Sequence, residues 1–234
     1  MSLPSATFAD VHALDSSDSQ VRKDLRTHLE VLTVLAAVFV AQAALPDKDW
    51  SRIFQVLLQT SALILTLRLG TLNRPVIIIG RVVVVLAVLT AIVIAVSDLG
   101  RVSTLFVNLV VVALAPVAIL KSIIAHRQIS WATVVGAISI YVSIGLFFAC
   151  FHQVVFEFND AAYVTTNGLL QPATFQYFSF ITLTTVGFGD VVAVTDLART
   201  MVAIEAVIGQ IFLVTVVALV VGNLGRTRGA RLPD

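Results

Sequence analysis

The stretch Thr184-Thr185-Val186-Gly187-Phe188-Gly189-Asp190 offers its chemistry through the main chain rather than through side-chain acids, bases or nucleophiles. Stripping water from a cation requires closely spaced replacement oxygens, and a succession of backbone carbonyls turned to one side supplies them. That backbone needs alternate residues at φ > 0, which Gly187 and Gly189 reach without steric cost. Val186 and Phe188 lie between them, with side chains free to pack away from the ion path. Thr185 adds a hydroxyl beside its own carbonyl and completes an innermost site. Asp190 stands at the mouth, where its charge draws cations in. One such segment makes one wall, so a closed ring of carbonyls calls for four copies of the chain.

Irregular backbone of this kind is stable at membrane depth only where protein surrounds it or water fills the lumen beside it. The rest of the sequence supplies a membrane setting. Of 234 residues, 58% are hydrophobic, and mean hydropathy is +0.98. Charged residues make up 12%, against about 25% in a typical soluble protein. A spanning helix needs about 20 mainly apolar residues, and six segments fit, at 29–45, 53–72, 76–96, 102–124, 131–152 and 198–222. A seventh stretch, 173–183, is too short to cross and reads as a re-entrant half-helix opened by Pro172, a residue suited to a first helical turn. Its C-terminal end would aim a negative dipole at the ion path. The expected architecture is an all-α membrane protein of six transmembrane helices, with a re-entrant pore helix and filter between the last two, assembling as a homotetramer.

Breaks at Pro46-Asp47-Lys48-Asp49, Asn73-Arg74-Pro75, Ser97-Asp98-Leu99-Gly100 and His126-Arg127-Gln128 separate the segments. With the N-terminus in the cytoplasm, only Lys48, Arg52, Arg101 and Arg199 of the 15 Lys and Arg residues fall outside, leaving 15 − 4 = 11 inside. That bias sets the orientation, with both termini cytoplasmic in the cell membrane. The division expected is a cytoplasmic segment 1–28, a four-helix peripheral domain 29–127, a pore domain 128–225 and a short cytoplasmic tail 226–234. Residues 1–20 are Ser/Asp-rich and read as disordered, and no apolar signal-peptide core precedes Leu29. A net charge of +1 suggests no nucleic-acid partner. The short tail is expected to hold no soluble ligand-binding domain. Cys150 reads as apolar filler. The histidines show no metal-ligand spacing, and no Ser/His/Asp set suggests an enzyme. No cofactor is expected besides the permeant ion, and membrane lipid is the expected surrounding partner.

The heptapeptide resembles the potassium-channel signature, with Phe188 in place of the commoner tyrosine. The likeness spans about 131–225 and points to the prokaryotic-type potassium channel family. It implies K+ sites formed by the carbonyls of Thr185, Val186, Gly187 and Phe188 and by the Thr185 hydroxyl. The family's tyrosine commonly hydrogen-bonds to the surrounding pore helix. Phenylalanine cannot, so packing on Tyr177 and Phe178 is expected to share that duty. Some members carry a glutamate on the pore helix where Ile181 stands here.

The resemblance also suggests a gating hinge at Gly209, 19 residues after Asp190. Close helix packing through a small residue explains the same glycine equally well. Gln210, Leu213, Val217 and Val221 share one helical stripe and are candidates for the pore cavity, with Val221 at an apolar inner gate. Core or lipid-facing packing is the competing account for each. Glu205 lies inside the sixth segment, and an intramembrane acid is a candidate modulatory site. It can act either as a structural hydrogen-bond partner of the pore helix or as a pH sensor. The fourth segment has Arg101 and Lys121 at its ends and nothing basic between, so the charge ladder required for steep voltage dependence is absent. Two rival functions are a less selective cation channel and a non-conducting regulatory or structural channel subunit.

Overall fold

Apolar segments in lipid must satisfy their backbone internally, and helices do so. The computed structural model describes residues 8–46, 48–67, 74–96, 100–125, 131–166 and 168–229. Its helices are α1 (Phe8–Ala44), α2 (Asp49–Leu67), α3 (Arg74–Val96), α4 (Gly100–Ala125), α5 (Trp131–Phe158), α6 (Pro172–Leu183) and α7 (Asp196–Gly229). A single 3-10 turn, Asp160–Ala162, and two short strands, β1 (Tyr163–Thr165) and β2 (Val191–Ala193), complete the order. The breaks expected around 73, 97–99 and 126–128 fall largely outside the described residues.

Among the described residues, three helical stretches are long and apolar enough to cross a membrane, Leu25–Ala44, Trp131–Phe158 and Asp196–Val216. Shorter apolar helices run over Ile77–Leu89 and Asn108–Lys121. The protein is therefore an all-α, multi-pass membrane protein. The described part of α2 interrupts its apolar residues with Gln55, Gln59, Thr60 and Ser61 and is not among these stretches. One expectation is corrected. From Phe8 onward the Ser/Asp-rich segment is helical and continuous with the first apolar segment. Its acids alternate with Ala, Val and Leu, which keep helix propensity adequate.

The central packing element is α5, which lies against α4, α1 and α6. Val31, Leu35 and Val38 of α1, Val112 and Ile119 of α4, and Ile140, Leu146 and Cys150 of α5 form one buried cluster. Cys150 is thus the apolar filler expected of it. A second cluster unites the ends of α5 and α7 with both strands and the inner face of α6, through Tyr163, Phe175, Phe178, Val191 and Ala198. Pro116 lies within α4.

The short helix α6 starts at Pro172, as expected, and the Gln171 amide donates to the Thr174 hydroxyl at 3.4 Å. It reaches α5 closely because Gly145 has no side chain. A Cβ there would stand 2.6 Å from the Phe180 ring, a separation real contacts do not sustain. Phe180 also meets Phe39 of α1 edge-on, with centroids 4.9 Å apart, so the ring has little room to yield. Gly145→Val should therefore destabilise the fold by about 1–3 kcal/mol, as overpacked cores do. Thermal unfolding in detergent would show a lowered midpoint, and an unchanged midpoint would disprove this packing account.

Candidate functional site

The stretch 184–190 emerges from the C-terminal end of α6 and has no regular hydrogen-bond ladder. Its first amides are held by the last carbonyls of that helix. Thr184 N donates to Phe180 O at 3.0 Å, and Thr185 N donates to Thr182 O at 2.9 Å. Val186 N and Gly187 N both donate to Ile181 O, at 2.8 and 3.1 Å. The position where some potassium channels carry an acid thus serves here through its carbonyl.

Positive φ falls on every second residue, at Thr185 (60°), Gly187 (49°) and Gly189 (78°). Both glycines take the conformation expected of them. Thr185 takes it despite its β-branched side chain, a cost of about 1–3 kcal/mol that surrounding structure must hold in place. Residues 184–189 form an exposed strip of the chain.

The far end of the strip is fixed by the strands. Tyr163, Val164 and Thr165 pair antiparallel with Ala193, Val192 and Val191. Thr166 N donates to Asp190 O at 2.9 Å. The Phe188 ring stacks on Tyr177 of α6, nearly parallel at 4° with centroids 6.5 Å apart. The contact expected between Phe188 and Tyr177 is present, whereas Phe178 is buried against His152 and Tyr163 instead.

Behind the strip, Glu205 of α7 is fully buried. One carboxylate oxygen accepts from the Ser179 hydroxyl of α6, which also contacts Gly145 O at 2.7 Å. The other lies 2.9 Å from His152 Nε2 of α5, and His152 Nδ1 lies 2.7 Å from the Tyr163 hydroxyl. Four elements, α5, β1, α6 and α7, thus meet in one polar chain inside an apolar shell. Burial, and then the nearby Glu205 charge, hold the Tyr163 phenol above its ordinary range. Glu205 thus accepts a hydrogen bond from the short helix α6. Its two partners, His152 and Ser179, and Tyr163 beyond His152 were not anticipated from sequence. An ionisable residue inside an apolar span was the available signal for His152; nothing local marks Ser179 or Tyr163.

Gly209 lies against the end of α6. A Cβ there would overlap Leu183 O and stand 3.0 Å from Leu183 Cδ1. Close packing thus gives this glycine a sufficient reason. Gln210 Nε2 donates to Thr185 Oγ1 at 3.2 Å, which puts Gln210 at the Thr185 end of the strip. Leu213 is exposed one turn further on. The side chains of Val217 and Val221 lie outside the described residues.

Residues 137–225 match a family model described as Ion channel. That match covers α5 through most of α7, nearly the stretch that resembles the potassium channels. Over that stretch the chain is similar to ion channels. The matched family is a channel family and not a catalytic one, in keeping with a protein that is not an enzyme. No curated protein and no solved structure matches the chain. Among the described residues no group of His, Cys, Asp and Glu could hold a metal ion.

If Gly209 is there for packing, Gly209→Ala must shift backbone rather than a flexible side chain. The expected result is a thermal midpoint lowered by a loss of about 1–3 kcal/mol. A variant as stable as the parent, changed only in how it opens, would favour the hinge instead.

Proposed function

We propose that the chain is one subunit of a homotetrameric, potassium-selective channel that passes K+ passively across the cell membrane. The observation that carries the proposal is the alternation of positive φ at Thr185, Gly187 and Gly189 within the ion-channel segment. Carbonyls of Thr185, Val186, Gly187 and Phe188 and the Thr185 hydroxyl would coordinate dehydrated K+, with Asp190 at the outer mouth. The C-terminal end of α6 faces the start of this strip, and its dipole favours a cation there. Gln210 and Leu213, followed by Val217 and Val221, would line the inner cavity, and Val221 would form an apolar gate. Gly209 would serve as a hinge only in addition to its packing role.

Six membrane crossings with both termini in the cytoplasm fit the Lys/Arg bias. Helices α1–α4 form the periphery, and α5–α7 the pore. Between Arg101 and Lys121, α4 carries no basic residue. Moving a unit charge through the membrane field is worth about 2.3 kcal/mol per 100 mV, so a helix without such charges confers weak voltage dependence at most.

Purified protein in liposomes should pass K+ much faster than Na+, with Ba2+ blocking the flux. Gly187→Ala should abolish it, since φ at that position excludes a side chain at ordinary cost. Equal K+ and Na+ flux would favour a less selective cation pore. No flux from folded tetramers would favour a regulatory subunit.

A further inference from the structure

A cavity of about 70 Å3 lies where α1, α2, α4 and α5 meet the start of α6. It is apart from the ion strip and from the Glu205 cluster. Three of the six carboxamides that line it are Gln59 of α2, Asn108 of α4 and Gln153 of α5. Each is more than nine-tenths buried, at 5%, 8% and 8% exposure. Yet Gln59 Oε1, Asn108 Oδ1 and Gln153 Nε2 have no hydrogen-bond partner among the described residues. Buried polar atoms are satisfied in the great majority of cases, so three orphans on residues that line one cavity require an explanation.

The chemistry of the lining narrows the occupant. All three orphans belong to neutral groups, and the two ionic residues at the cavity, Arg52 and Glu157, have opposite charges. Neither sign of ligand is favoured. The oxygen and nitrogen of a carboxamide exchange places on a flip of the amide. A hydroxyl both donates and accepts, so it satisfies either orientation, whereas a pure donor or pure acceptor does not. Apolar walls from Leu105, Phe156 and Pro172 suit a short carbon skeleton. One water needs roughly 10–15 Å3 by this kind of measure, so the space takes about five waters or a molecule of about that many heavy atoms.

The geometry points to a binding site, within this helix junction, for a small uncharged polyol, either free or as the glycerol end of a lipid headgroup. The inference does not depend on the channel reading. Because Pro172 begins α6 at the cavity wall, an occupant would brace the start of the short helix that carries the ion strip.

The test uses the full-length chain in nanodiscs, with its unfolding midpoint followed by intrinsic tryptophan fluorescence. Glycerol titrated into phosphatidylcholine discs should raise the midpoint along a saturating curve. Asn108→Leu and Gln153→Leu each remove an orphan without leaving a new one, so both should fold. Each should weaken the apparent dissociation constant by about tenfold or more. Discs of phosphatidylglycerol, compared with phosphatidic acid, which lacks the terminal glycerol, test the lipid source. A higher midpoint in phosphatidylglycerol that both variants lose would assign the site to the headgroup. A linear, non-saturating glycerol effect with no difference between these lipids would overturn the site, whatever the variants do. So would a saturating effect that both variants leave unchanged.

Discussion

A strip of backbone whose alternate residues sit at positive φ, and which forms no ladder, cannot hold itself. Every restraint has to come from neighbouring elements. Here they come from three directions. Carbonyls at the end of α6 hold the amides of residues 184–187, the β1–β2 pair holds Asp190, and Tyr177 holds the Phe188 ring. Each restraint passes through α6 or the strands, so the strip is only as well placed as that 12-residue helix.

The placement of α6 explains the small and polar residues around it. Gly145 and Gly209 let the helix approach α5 and α7 more closely than any side chain would permit. The Ser179–Glu205–His152–Tyr163 chain adds direction to that contact, since hydrogen bonds fix rotation and register where apolar packing tolerates sliding. In an apolar interior an unpaired carboxylate is costly, so the members of the chain depend on one another. Glu205 is therefore well matched to a structural role, joining α7 to α6 behind the strip.

Much of this was legible in the sequence because it rests on local rules. The glycines at 187 and 189, the first-turn proline at 172, the apolar spans and the lone Glu205 each signal through residue type and spacing. The Tyr177–Phe188 contact followed from the missing tyrosine hydroxyl. What was not legible depends on distant partners. His152 and Glu205 are 53 positions apart, and only the fold brings them together. The strands are three residues each, too short to show a period. Gly209 looked equally like a hinge and a packing residue until Leu183 was seen against it. The helix from Phe8 was not legible because a Ser/Asp-rich composition signals disorder, and its continuity with the first span shows only in the fold.

The account stands or falls on whether carbonyls of Thr185 to Phe188 bind dehydrated ions along one axis. Thallium, a heavy stand-in for potassium, would report this by anomalous scattering from crystals of the full-length protein. The account predicts a row of thallium peaks on a fourfold axis beside those carbonyls, replaced when sodium alone is present. Crystals of a folded assembly with no fourfold axis, or with no thallium beside residues 185–188, would contradict it.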